Sequence, residues 1–73
     1  MRFQIYTRNE HEPPHVHVHL PDGEVVVILE EAVQAVILRD AARNVRTVDV
    51  ARILAIAEDH FETLIAVWSY YNR

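Results

Sequence analysis

Apolar and polar residues alternate along the first third of the chain and then change period. Phe3 and Ile5 alternate with Gln4 and Tyr6, which predicts a short strand over about residues 2–7. From His15 to Leu20 the alternation is strict, with His15, His17 and His19 on one parity and Val16, Val18 and Leu20 on the other. A second strand over 15–20 therefore sends the imidazoles to one face and the aliphatic side chains to the opposite one. Pro21-Asp22-Gly23 follows. Proline presets the first turn position, and the chain's single glycine supplies the positive φ that closes a three-residue hairpin. A third strand is predicted over about 24–30. Glu24 and Glu30 share one parity, which assigns Val25, Val27 and Leu29 to the core face and puts Val26 and Ile28 on the histidine face.

Residues 31–40 fit two templates. Val33, Val36, Ile37 and Asp40 can form a helical stripe, while Val36-Ile37-Leu38 with a turn after it fits a fourth strand over about 33–38. Hairpin continuation is the simpler topology and favours the strand. From Thr47 the period is helical to about residue 72, with Thr47 as cap and Asp49 well placed in the first turn. Val50, Ile53, Leu54, Ala57, Phe61, Leu64, Ile65 and Trp68 share one arc, opposite Asp49, Arg52, Asp59, Thr63 and Tyr70. Ile56 and Val67 widen the arc to nearly half the circumference, enough for a second contact surface, and a homodimer is the simplest one. The expected fold is α+β: one domain over 1–73, a small antiparallel sheet of three to four strands, and one long C-terminal helix packed on its apolar face.

Composition narrows the class. With 73 residues and 51% hydrophobic content the chain reads as globular, and without cysteine it has neither disulfide nor thiolate chemistry. A cytoplasmic protein is expected, with no secretory leader and no membrane span. A net charge of −4 argues against sequence-blind nucleic-acid binding, although protonation of all five histidines would bring it to +1.

The candidate chemistry lies in Asn9-Glu10-His11-Glu12-Pro13-Pro14-His15-Val16-His17-Val18-His19. The two prolines forbid a regular ladder and fix how His11 stands relative to His15. Histidines two apart on a strand have Cα atoms about 6.5–7 Å apart and point the same way, so His15 and His17 can share a metal ion such as zinc. His11, His19 or His60 would be the third ligand. Without any cofactor, His11, His15 and His17 are candidate general acids and bases for RNA or DNA cleavage, with Arg8 or Arg2 steadying the developing charge. His60 falls inside the helix arc and reads as a core or interface histidine. Arg39, Arg43 and Arg46 precede the helix, where they and its first-turn amides form a candidate anion site. Asn9 and Arg8 are further binding candidates.

Asn9-x-His11-x-Pro13-Pro14-His15-Val16-His17-Val18 resembles the signature of the bacterial domain-of-unknown-function family numbered 4160. The resemblance extends to the N-terminal strand, the turn at Gly23, the helix around Glu58-Asp59-His60-Phe61, and Trp68. Asn9, His11, Pro13, Pro14, His15 and His17 match the signature, and His19 lies outside it. Such proteins are often encoded beside a small protein of the domain-of-unknown-function family numbered 2442, in a layout similar to toxin–antitoxin modules. The resemblance implies a small protein partner from a neighbouring gene and carries no catalytic role.

Overall fold

The computed structural model describes residues 1–5 and 13–72. It is an α+β fold in the order β1 (Arg2–Gln4), β2 (His15–Leu20), β3 (Gly23–Glu30), β4 (Ala35–Ala41), α1 (Thr47–Asp59) and α2 (Phe61–Tyr71). The strands form one antiparallel sheet in the order β1-β2-β3-β4. Residues opposite one another in such a sheet share a face, so Val16 opposite Val27 and Val18 opposite Val25 make one aliphatic layer. With Ile53 and Ala57 of α1 these valines form the buried core, and Phe3, Val36, Val50, Leu54 and Leu64 pack against it. Both helices thus cover the valine side of the sheet, and the histidine parity faces away from them.

The hairpin between β2 and β3 has a two-residue loop, Pro21-Asp22, because Leu20 already pairs with Gly23. A three-residue loop would place Leu20 opposite Glu24 and so set one strand's aliphatic parity against the next strand's acidic parity. Two residues bring the parities into phase. Gly23 does adopt a positive φ, 148°. A Cβ there would also meet the Ala42 Cβ at 2.5 Å, so glycine is required twice over.

The strand reading of the fourth segment holds, displaced toward the C-terminus: Glu31–Gln34 form the turn and β4 runs Ala35–Ala41. The turn closes with Gln34 in the left-handed region at φ 51° and its N–H on the Glu31 carbonyl, 3.3 Å. A bulge opposite Val26 and Val27 then inserts Arg39 as an extra residue of β4.

The single long helix is instead two, broken at His60 (φ −108°, ψ 23°). The last bond of α1 runs from His60 N–H to Ile56 C=O, and α2 opens with Leu64 N–H on His60 C=O. A straight helix over 47–72 would measure about 39 Å at a rise of ~1.5 Å per residue. The whole domain spans 33 Å at its longest. Phe61, the first residue of α2, is buried. Thr47 is not the cap: Arg46 holds that position, and no side chain caps α1. Asp49, expected on the polar side, is only 8% exposed. It lies one turn before Ile53 and two before Ala57, hence on their stripe.

Candidate functional site

Ladder geometry sets how closely the histidines meet their neighbours. Leu29 donates its N–H to the Pro14 carbonyl at 2.8 Å, so Pro14 and Leu29 form a hydrogen-bonded pair. Alternation then makes His15/Ile28, His17/Val26 and His19/Glu24 non-hydrogen-bonded pairs, whose Cα atoms approach to about 4.5 Å. The imidazole row is thereby pressed against Val26, Ile28 and Glu24. On the other side of β2, Gln4 lies opposite His17 and Arg2 opposite His19, on the same face.

Glu24 organises the row. Its Oε1 accepts the His17 Nδ1–H at 2.9 Å, and its Oε2 stands 3.5 Å from the His19 Nδ1. His15 is the buried member, 3% exposed, and donates its Nδ1–H to the Pro13 carbonyl at 2.9 Å. A carbonyl only accepts, so the proton of a neutral His15 is on Nδ1 and its lone pair on Nε2. The carboxylate imposes the same tautomer on His17. The two rings meet edge to face, 5.2 Å between centroids. The double proline therefore sets His15 directly, through the Pro13 carbonyl. The arrangement holds both rings in one tautomer beside the apolar floor of Val26 and Ile28.

His15 and His17 are brought together as expected, and His19 joins them through Glu24. Arg8, Asn9 and His11 lie outside the described residues. Among the described residues no group of three or more histidine, aspartate or glutamate side chains is placed to hold a metal ion. The third ligand expected beside His15 and His17, His11, lies outside the described residues. His60 belongs to the helix layer, on the other side of the sheet. It is exposed at the helix break, where it lines a cleft of about 320 Å³ with Gln34, Glu58, Asp59, Phe61, Glu62 and Thr63. Arg39 stands on β4, Arg43 in the following loop and Arg46 before α1. Arg46 donates from Nε to Asp49 Oδ2 at 3.1 Å, so the chain's own carboxylate takes the place of an outside anion at the start of α1.

Glu24 is the residue that sequence reasoning passed over as a site member. The signal was present in the hairpin: a two-residue loop puts Glu24 across from His19 and diagonal to His17. Among the described residues no helix is long and apolar enough to cross a membrane. No curated protein and no solved structure matches the chain. A match over residues 1–69, which includes the double-proline and histidine segment and the strands and helices that surround it, identifies the chain as a member of the family described as Domain of unknown function (DUF4160).

Proposed function

We propose that the histidine face of the sheet is a protein-docking surface, and that the chain is the partner-binding component of a cytoplasmic two-gene module of the toxin–antitoxin kind. The observation that carries the reading is the make-up of this face. Val26, Ile28 and Ile37 stand side by side across β3 and β4, next to His15, His17 and His19, on the side away from both helices. Apolar side chains beside oriented polar groups are what a partner buries at the centre of an interface. The partner is a small protein encoded alongside, of the family numbered 2442. Co-expression of the two chains is the test: they should purify as one complex, and Val26→Arg with Ile28→Arg should dissolve it while the chain still melts cooperatively. Two separately eluting proteins would sink the proposal.

The Glu24–His17 pair favours a second reading, a small histidine-dependent nuclease. A carboxylate that fixes one imidazole beside another is the arrangement a general acid and base would use, and Arg2 on the same face can steady phosphate charge. Binding is preferred because His15 is buried, which leaves little of its ring open to a substrate. The intact protein should then leave RNA and DNA uncut. Cleavage abolished by His15→Ala and His17→Ala, with the fold retained, would reverse the preference.

A further inference from the structure

The strand β4 carries two exposed large hydrophobic residues in succession, Ile37 at 47% and Leu38 at 41%. They point to opposite sides of the sheet. Ile37 is opposite Ile28 on the histidine face, and Leu38 is opposite Val27 on the helix side. No layer stacked on one face can cover both. Only an element laid alongside the edge does so, and among the described residues no strand lies beyond β4.

The edge is closed at one end and open at the other. Near its C-terminus the bulge at Arg39 distorts it, and the Asp40 carboxylate accepts the Ala41 N–H at 2.9 Å, so an edge donor is already taken. These are devices that blunt a sheet edge. The run Ala35–Leu38 has neither. Pairing with β3 alternates along β4. Ala42 donates to the Glu24 carbonyl at 2.9 Å, so the even residues of β3 bond to β4 and Ile28/Ile37 is a hydrogen-bonded pair. The main-chain groups of Val36 and Leu38, on either side of Ile37, consequently face outward.

We infer that this open edge pairs with the same edge of a second copy of the chain, antiparallel, about a two-fold axis at Ile37. Self-pairing follows from the symmetry of the edge. Val36 of one copy meets Leu38 of the other, and the reverse, for roughly four main-chain hydrogen bonds. The two Ile37 side chains meet at the axis in a non-hydrogen-bonded pair, and each Leu38 is covered on the helix side. Charge permits it: Arg39 falls opposite Ala35 and Asp40 opposite Gln34, so no like charges are opposed. The product is one continuous eight-stranded sheet with both histidine faces on the same side.

Sedimentation of the purified chain across a concentration series, with cross-linking through Ile37→Cys, tests the inference. Cα atoms in a non-hydrogen-bonded pair stand about 4.5 Å apart, within disulfide range, and the natural chain has no cysteine to compete. The wild type should dimerise and Ile37→Cys should oxidise to a covalent dimer, while Tyr70→Cys, exposed on α2, forms little covalent dimer. Ile37→Lys with Leu38→Lys should weaken the dimer at least roughly tenfold with an unchanged circular dichroism spectrum. A chain that remains monomeric at every concentration overturns the inference. So does a dimer that survives the double lysine substitution, or one that Tyr70→Cys locks as readily as Ile37→Cys.

Discussion

Gly23 and Gln34 are both backbone positions with positive φ, and they differ in which residue occupies them. Glycine at 23 suits a φ of 148° and leaves room for Ala42. Gly23→Ala adds strain and a 2.5 Å contact with Ala42, so it should cost about 2 kcal/mol or more, read as a lower denaturant midpoint at unchanged slope. Gln34 pays for its left-handed φ of 51° with no gain in side-chain burial, since the residue is exposed. Gln34→Gly should stabilise the domain by about 0.5–1 kcal/mol, measured by the same titration. Trp68 is a third case. Its Nε1 is buried without a hydrogen-bond partner among the described residues, so Trp68→Phe removes an unsatisfied donor along with some packing volume, and the two effects oppose each other.

The elements differ in how plainly the chain declares them. Period two is unambiguous when one parity is aliphatic, which is why Val25, Val27 and Leu29 read as core and are fully buried. The break at His60 has no such signal. Neither proline nor glycine stands near it, and the apolar period runs on through it without interruption. The start of α1 likewise departs from its local signal. Thr47 is a common capping residue, but in this fold Asp49 turns inward and Arg46 closes over it. Two effects support Asp49 there, its charge at the positive end of the helix and its bond to Arg46. The Arg46 side chain is 72% exposed, so the ion pair is worth little and the helix-end interaction dominates. Asp49→Asn should therefore cost about 1 kcal/mol, against a few tenths for Arg46→Ala, in thermal unfolding of the two single variants and their double.

Among the described residues both helices lie on one side of the sheet, which gives the molecule two unequal faces with the same type of residue on each. Aliphatic side chains occupy both: Val25, Val27 and Leu29 beneath the helices, and Val26 and Ile28 among the histidines. The sequence distinguishes these faces by parity alone, and it places His15 and His17 together for the same reason. What it leaves open is the non-local part of the site, the carboxylate of Glu24 reaching two imidazoles across the hairpin. Packing separates the faces energetically. Val27 is fully buried against α1, so Val27→Ala should cost about 2 kcal/mol from lost transfer energy and the cavity it leaves. Val26 is only half-buried, and Val26→Ala should cost less than about 1 kcal/mol. If the histidine face is built for a partner, affinity should follow the reverse order. Val26→Ala should weaken complex formation with the neighbouring protein more than Val27→Ala does, once both are measured well below their melting temperatures. Equal effects on affinity would mean that both valines act only through stability, and the face would then be ordinary sheet surface.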